Sequence, residues 1–239
     1  MALLILLMKK FNTPEIAYHS VLYDIISFGT DDGTGNLEII NYAFSIEDLE
    51  TIDFKNKVRK FNKDYAQKFL EFIMDGGTDA SVLFASNPNA KNFVDDLASR
   101  NTAYGPRILQ QIPGVVEELT TNRSSRRAVI TILNPDDQSL LPEKQKGSKM
   151  EYPCTVSLIF LIRDNKLNLH VAMRSNNMTT TVCYDLYNFI NIQKILLDKL
   201  QKAGLSVELG RYFHVCASAH VLKNEIQFAK DILLEYLQN

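Results

Sequence analysis

The sequence predicts an α+β fold, because strand and helix patterns are both plentiful but do not follow a regular βαβ alternation. Apolar residues alternate with polar ones along 166–173, which is typical of a strand, whereas they recur at helical spacing along 63–75. Apolar residues make up 46% of the 239 residues, enough for a large buried core. No linker-like segment interrupts the chain, so we expect a single domain over residues 1–239.

The first predicted helix lies within residues 11–29, where Pro14 suits the first turn and Gly29 ends the apolar pattern. The glycines and aspartates of "TDDGTGN" (30–36) predict a turn after this helix. Strand-like patterning then begins at Leu37. The N-terminal part of the chain is therefore expected to run from helix through turn to strand.

The later elements follow the same two periodicities. Helices are predicted at 63–75, within 103–121, at 184–203 and at 225–237, and strands at 129–133 and 210–222. Residues 154–173 predict a β-hairpin whose turn is Asp164-Asn165. Residues 137–150 are polar and contain three lysines, so we expect an exposed loop there.

Charge and cysteine content exclude several classes of function. The formal net charge is −2, which argues against a basic surface for nucleic acid. Cys154, Cys183 and Cys216 lack metal-ligand spacing, so we predict neither a disulfide framework nor a metal site. The apolar run at 1–7 is too short to span a bilayer and precedes its lysines, unlike a signal peptide. Residues 1–7 could form a strand or be an extension upstream of a natural start at Met8, and in both cases we expect a cytoplasmic protein without a membrane partner.

Cys154 is the first candidate for chemistry. It follows Pro153 at the start of the predicted hairpin, and the hairpin would return the chain to Arg174 close to the thiol. A thiolate is a strong nucleophile, and a nearby cation favours its formation. The alternative is a buried strand cysteine that acts only as a small apolar residue.

Two basic pairs and one strand face could bind a phosphorylated ligand. Arg126-Arg127 and Arg174-Ser175 offer guanidinium and hydroxyl groups suited to phosphate, although Arg126-Arg127 could equally be a polar strand end. Ser218 and His220 share one face of their predicted strand. A histidine in that setting is also compatible with a purely structural role.

The motif order "SRR…PC…RSN…YDLYNF…GxYxH…SxH" resembles the thymidylate synthase family, and most of all its branch of dCMP and CMP hydroxymethylases. The similarity covers about residues 11–230, and several short motifs in the correct order are more specific than any one of them. The resemblance implies a mixed β-sheet packed with helices and a homodimer. It also implies a pyrimidine nucleoside monophosphate as substrate and 5,10-methylenetetrahydrofolate as cofactor.

The resemblance also implies roles for individual residues. Cys154 matches the nucleophile that adds to C6 of the pyrimidine, after which C5 attacks the one-carbon unit. Arg126 and Arg127 match the phosphate ligands that the neighbouring subunit supplies, whereas Arg174 and Ser175 match phosphate ligands of the same subunit. Tyr104 matches a residue of the active-site wall, and Asn177 matches a position that helps to order the site. His220 matches the contact to the nucleotide sugar, and Ser218 is its neighbour on the strand face.

Asp185 is the position most informative about the base. The thymidylate synthases have an asparagine there, whereas the cytosine hydroxymethylases resemble this chain in having an acidic residue. A carboxylate accepts a hydrogen bond from the cytosine amino group, and such a contact can reject the analogue that lacks it. An aspartate near a helix N-terminus is also explained by the helix macrodipole alone.

Four positions depart from the family pattern: Phe69 replaces a glutamate, Asp31 or Asp32 an arginine, Thr155 a histidine and Leu222 a tyrosine. Two functions therefore remain open. The first is transfer of a one-carbon unit, as hydroxymethyl, to C5 of CMP or dCMP. The second is that of a non-catalytic nucleotide-binding homologue that acts as a sensor or subunit.

Overall fold

A computed structural model describes residues 8–88, 103–141 and 152–238. Its strands form one mixed eight-stranded sheet in the order β1-β3-β8-β6-β5-β4, with β2 paired to β3 and β7 to β8. The strands are β1 (Lys9–Phe11), β2 (Thr30–Asp31), β3 (Leu37–Ile46), β4 (Val129–Thr131), β5 (Thr155–Arg163), β6 (Lys166–Met173), β7 (Asn176–Asn177) and β8 (Glu208–Val221). This is the α+β architecture predicted from the sequence.

Six α-helices lie in the described ranges. They are α1 (Pro14–Phe28), α2 (Lys63–Met74), α3 (Tyr104–Leu109), α4 (Ile112–Thr121), α5 (Val182–Lys202) and α6 (Ile226–Leu237). The helix predicted within 103–121 is thus two helices. As predicted, Pro14 lies in the first turn of α1 and Gly29 caps its end.

The predicted hairpin is confirmed by the pairing of β5 with β6. Asp164 and Asn165 form its turn with φ values of 50° and 62°, the left-handed region that asparagine and aspartate tolerate best after glycine. Beyond the hairpin, β6 pairs in parallel with the long strand β8, which places Met173 beside Cys216. These registers bring the end of β6 and the C-terminal half of β8 to one site.

One expectation about an exposed loop needs correction. Of the segment 137–150, residues 142–150 lie outside the described ranges, and 137–140 belong to a short 3₁₀ helix, Pro135–Leu140. Asp137 in this helix is buried, because Arg107 forms two hydrogen bonds of 2.7 Å to its carboxylate. The polar sequence predicted an exposed segment here. The Asp137 carboxylate can nevertheless be buried, because it is paired with Arg107, a cation from a distant part of the sequence.

The two faces of the sheet differ in burial. On one face of β8, Tyr212, His214 and Cys216 are fully buried among the helices. Along the other face, Phe213 is only partly buried and Val215 is 46% exposed. The neighbouring strands continue this second face with further partly exposed residues, namely Ile159, Leu161, His170 and Ala172. We call Ile159, Leu161, His170, Ala172, Phe213 and Val215 the open face.

Candidate functional site

Cys154 lies at the start of β5, where Arg174 at the end of β6 holds both its backbone and its thiol. The Arg174 N–H donates to the Cys154 carbonyl at 2.8 Å, and a guanidinium N–H approaches the Cys154 sulfur at 3.6 Å. Cys154 is half-buried. The predicted hairpin thus brings a cation beside an accessible thiol, an environment that favours the thiolate.

The turn before Cys154 is fixed by two further contacts of the same guanidinium. Arg174 donates to the carbonyls of Pro153 and Tyr152, each at 2.9 Å, and its guanidinium lies 5.0 Å from the centre of the Tyr152 ring. The Tyr104 hydroxyl accepts the Thr155 N–H at 3.2 Å on the other side of Cys154. Tyr104 is therefore in contact with the backbone next to Cys154.

A row of polar side chains continues from Arg174 along the ends of the strands. The Ser175 hydroxyl lies 3.3 Å from Nδ1 of His220. On the same face of β8, the Ser218 hydroxyl donates to the Glu38 carboxylate at 2.5 Å. Glu38 is the cross-strand partner of His220 in the β3–β8 pairing. Ser175, Ser218 and His220 thus share one surface with a carboxylate that the sequence did not reveal.

Asp185 lies in the first turn of α5 and is held by Asn176 of β7. The Asn176 amide donates to Oδ2 of Asp185 at 2.6 Å and to the Thr181 hydroxyl at 3.3 Å. Asn176 is only 2% exposed, and its Oδ1 has no hydrogen-bond partner among the described residues. The base-reading candidate is therefore oriented by a buried amide.

Asn177 connects the segment before α5 to the turn after β8. Its side-chain oxygen accepts the N–H groups of Thr179 and Thr180 at 2.8 and 3.0 Å. Its amide donates to the Glu225 carboxylate at 2.8 Å. Asn177 thus combines an Asx turn with a tertiary contact, and both fix the entry into α5.

Cys216 lies beneath these groups and shows that they are close together. The pKa of the Cys216 thiol is raised to about 12, chiefly by burial and also by the nearby Cys154 and Asp185, while a hydrogen bond with the Ser218 backbone and the charge of Arg174 oppose the shift. The Coulomb energy between two charges falls as the distance between them grows, so groups that influence the Cys216 thiol lie near it. The Cys154 thiol, the Arg174 cation and the Asp185 carboxylate therefore all influence the position that Cys216 occupies in the sheet.

Arg126 and Arg127 are exposed just before β4. The Arg127 guanidinium pairs with Glu118 at 3.0 Å, and the Ser125 hydroxyl donates to the same carboxylate at 2.5 Å. These bonds, from Ser125 first and then Arg127, lower the pKa of Glu118. The structure describes no contact between either arginine and Cys154 within the chain.

An aromatic group surrounds Tyr184, the residue that precedes Asp185 in α5. Tyr184 packs edge-to-face on Tyr65 and tilted on Phe61, with ring centres 5.0 and 5.1 Å apart. Phe69 stacks on Tyr65 at 5.8 Å, and the buried Arg59 lies 5.3 Å from the Tyr184 ring centre. Phe61, Phe69 and Tyr184 keep part of their surface accessible, so these rings could contact a flat ligand.

The predicted turn at 30–36 is closed by its own aspartates. Asp31 accepts the N–H groups of Gly33 and Gly35 at 2.7 and 2.9 Å. Hydrogen bonds from the Asn36 amide first, and from Thr34, lower the pKa of Asp32 to about 2. These carboxylates serve the turn, which accounts for acidic residues at the position where the family pattern has an arginine.

Within the described ranges there is no cluster of three or more His, Cys, Asp or Glu residues arranged to hold a metal ion. None of the helices in the same ranges is long and apolar enough to cross a bilayer.

Sequence reasoning missed Asn176, Glu38 and Glu225. Asn176 stands beside the predicted pair Arg174-Ser175, so the polar run "RSNN" was the available signal. Glu38 offers no comparable signal, because its link to Ser218 depends on the β3–β8 register. Glu225 likewise gains its contact only through the turn that follows β8.

Two sequence comparisons relate the chain to known proteins. The sequence model of the thymidylate synthase family matches residues 18–236. One curated relative is a deoxyuridylate hydroxymethyltransferase from Bacillus phage SP01, which is 28% identical over 194 residues. The alignment covers 71% of this chain and 48% of the relative, so the chain spans about half the length of that protein.

Proposed function

The chain belongs to the thymidylate synthase family, and from that premise we propose that it transfers a one-carbon unit to C5 of a pyrimidine nucleoside monophosphate. The observation that carries this proposal is the contact between the Arg174 guanidinium and the Cys154 sulfur. We further propose that the base is cytosine and that the product carries a hydroxymethyl group. The similarity to a phage deoxyuridylate hydroxymethyltransferase supports the C5 transfer.

Cys154 is the proposed nucleophile. Its thiolate, favoured by Arg174, adds to C6 of the pyrimidine and makes C5 nucleophilic. Pro153 and the contact from Tyr104 to Thr155 fix the backbone on both sides of the sulfur. This fixed geometry holds the thiol at one position beneath the ring, which lowers the entropy cost of the addition.

The nucleotide is held by groups along the polar row. Arg174 and Ser175 bind the phosphate together with Arg126 and Arg127 of a second copy, while His220 and Ser218 contact the sugar. Guanidinium groups suit a phosphate because they donate several hydrogen bonds in a fixed plane. Asp185 reads the base by accepting from the cytosine amino group, and Asn177 orders the segment that carries Asp185.

The aromatic group fits a flat cofactor. 5,10-Methylenetetrahydrofolate would supply the one-carbon unit, and Phe61, Phe69 and Tyr184 of the aromatic group present partly accessible rings. Aromatic faces bind fused heterocycles by offset stacking. These side chains would therefore hold the cofactor over the base and exclude water from C5.

A homodimer through the open face would complete the site. The open face is apolar along β5, β6 and β8, and the stacked pair His170–Phe213 lies within it, with ring centres 4.2 Å apart. An exposed apolar patch of this kind marks an interaction surface, and a second copy is the occupant that brings Arg126 and Arg127 to the site. In a two-fold dimer each copy would supply its Arg126 and Arg127 to the site of the other copy.

Light scattering tests the dimer. We expect the wild type to have twice the chain mass, and Val215→Glu to become monomeric and lose nucleotide binding. Leu234→Glu is the matched control, since Leu234 is 55% exposed on α6, outside the open face. A monomeric wild type that binds nucleotide with full affinity would contradict the dimer but not the site.

Phe69 favours a second candidate function. It stacks in the aromatic group and supplies no proton-transfer group where the family pattern has a glutamate. Loss of a general acid or base typically lowers a rate by about 10²–10⁴-fold. A homologue that binds a nucleotide without turnover, as a sensor or subunit, would retain Arg174, Ser175 and Asp185.

Exchange of the C5 hydrogen separates the two functions. CMP and dCMP tritiated at C5 are incubated with the protein, with and without methylenetetrahydrofolate. We expect tritium release, lowered at least ~10³-fold in Cys154→Ala, since removal of a nucleophile costs an enzyme that much or more. Cys216→Ala, a buried thiol of the same sheet, is the matched control and should retain release. Tight binding without release would support the sensor or subunit instead.

A further inference from the structure

Asn176 makes a contact that its neighbours in sequence do not predict. It is a buried strand residue of β7, paired with Ala219 of β8, and its amide reaches across to α5. Both amide hydrogens are used, one by Asp185 at 2.6 Å and one by the Thr181 hydroxyl at 3.3 Å. Thr181 in turn donates to the Asn177 carbonyl at 3.0 Å, so its hydroxyl is free to accept from Asn176.

This direction of hydrogen bonding fixes the orientation of the amide. Rotation of the Asn176 amide by half a turn would place its oxygen against the Asp185 carboxylate, and two acceptors repel. In the observed orientation Oδ1 is buried without a partner among the described residues. An unpaired buried acceptor destabilises the folded state. Buried polar atoms left in this way call for a functional explanation.

The donor at Oδ2 bears on which group of a base Asp185 can recognise. A hydrogen bond donated to a carboxylate favours its ionised form, which can only accept. The amino group of cytosine donates to such an acceptor, whereas the O4 atom of uracil would face it as a second acceptor. A neutral amide achieves this without adding a cation that would itself bind O4.

We propose that Asn176 is a positioning residue that holds the Asp185 carboxylate as an acceptor and thereby makes the site selective for cytidine over uridine monophosphates. The inference rests on the proposed function, since it assigns the base taken by that same site. Asn176 does not touch the substrate and acts through Asp185. The selectivity therefore belongs to the pair Asn176–Asp185 rather than to the aspartate alone.

Calorimetric titration with CMP, dCMP, UMP and dUMP tests the inference. We expect the wild type to bind the cytidine nucleotides at least ~100-fold more tightly, and Asn176→Leu to lower that ratio by about tenfold, the typical effect of a charged hydrogen bond. Asn176→Asp, which has nearly the same shape but places a second carboxylate beside Asp185, should also lower the ratio.

Asn188→Leu is the matched control. Asn188 is a buried amide of α5, 2% exposed, whose Oδ1 also lacks a partner among the described residues. Its replacement should change the melting temperature but leave the ratio unaltered. In an Asp185→Asn background the change Asn176→Leu should no longer affect the ratio, because the carboxylate that it positions is gone. An Asn176→Leu protein that does not fold leaves Asn176→Asp as the deciding variant.

The possible results are distinguishable. If the wild type binds none of the four nucleotides, the proposed function fails and this inference with it. If it binds cytidine and uridine nucleotides equally, the function stands and the selectivity is wrong. If the ratio is high but persists in Asn176→Leu and Asn176→Asp, Asp185 reads the base without Asn176.

Discussion

Two cysteines, Cys154 immediately before β5 and Cys216 within β8, occupy opposite chemical environments, although the first contributes to the raised pKa of the second. Cys154 is half-buried at the end of a strand, with a guanidinium 3.6 Å from its sulfur. Cys216 is fully buried in the middle of β8, and its thiol donates to the Ser218 carbonyl at 3.0 Å. Position along a strand, rather than residue type, decides which thiol can react.

The difference follows from the solvation of the thiolate. Burial raises the pKa of Cys216 to about 12, so at pH 7 only about one molecule in 10⁵ carries the anion. Cys183, at the start of α5, is buried in the same way, and its pKa is also raised to about 12. Only Cys154 combines access to solvent with a cation that donates to sulfur, which is what a nucleophile requires.

Replacing Arg174 by glutamine should reduce the reactivity of Cys154 and so narrow its difference from the two buried cysteines. An adjacent opposite charge shifts a proton equilibrium by roughly one unit or more, so we expect iodoacetamide to alkylate Cys154 about tenfold more slowly at pH 7. Nucleotide binding should weaken as well, because the same guanidinium orients the turn at Pro153. Peptide mapping by mass spectrometry after timed alkylation measures the rate at each cysteine.

Arg174→Lys serves as the control for charge. A lysine keeps the cation but cannot donate at the same time to two carbonyls and a sulfur, so it should restore only part of the reactivity. Cys216 and Cys183 should remain unlabelled in every folded variant. If Arg174→Gln leaves the alkylation rate of Cys154 unchanged, Arg174 does not activate that thiol. If Cys216 is labelled as fast as Cys154 in the native protein, burial does not protect Cys216.

Local periodicity predicted much of the fold. The alternation along 166–173 identified the buried face of β6, where Leu167, Leu169, Val171 and Met173 all have little exposure. The same reasoning placed His214, Cys216, Ser218 and His220 on one face of β8. His214 and Cys216 are indeed buried together, but beyond Cys216 the buried positions shift to Ala219 and Val221, which leaves Ser218 and His220 partly exposed. Such predictions succeed because burial of alternate strand residues is encoded within a few neighbouring positions.

Contacts between distant segments could not be predicted in this way. Asp137 looked like a loop residue, but Arg107, thirty positions earlier, allows its burial. Ser218 and Glu38 are 180 positions apart and meet only through the β3–β8 register. The candidate site itself was found because the family resemblance supplied the distant pairings that periodicity lacks.

His214 lies on the same buried face of β8 as Cys216, and its titration tests how apolar that interior is. The expected effect is on stability and is smaller than the effect on Cys154 reactivity. His214 is fully buried, stacks on Phe44 with ring centres 4.9 Å apart, and has its Nδ1 3.0 Å from the Tyr212 hydroxyl. Burial lowers the pKa of His214 to about 3. Unfolded histidine takes up a proton below about pH 6.5, whereas His214 in the folded protein stays neutral until about pH 3.

The free energy of unfolding should therefore fall as the pH drops from 6.5 towards 3, because the unfolded state binds more protons in that window. The His214 contribution amounts to about 1.4 kcal/mol per pH unit, or roughly 2 kcal/mol at pH 5 relative to pH 7.5. His214→Phe should remove that part of the slope in urea titrations at several pH values.

His19 provides the matched comparison, because burial lowers its pKa as well. His19→Gln should remove its own contribution to the pH dependence of the free energy of unfolding and leave the contribution of His214 unchanged. A slope that is the same in His214→Phe and wild type would mean that His214 already takes a proton in the folded protein, and that the interior beside Cys216 is more polar than its burial implies.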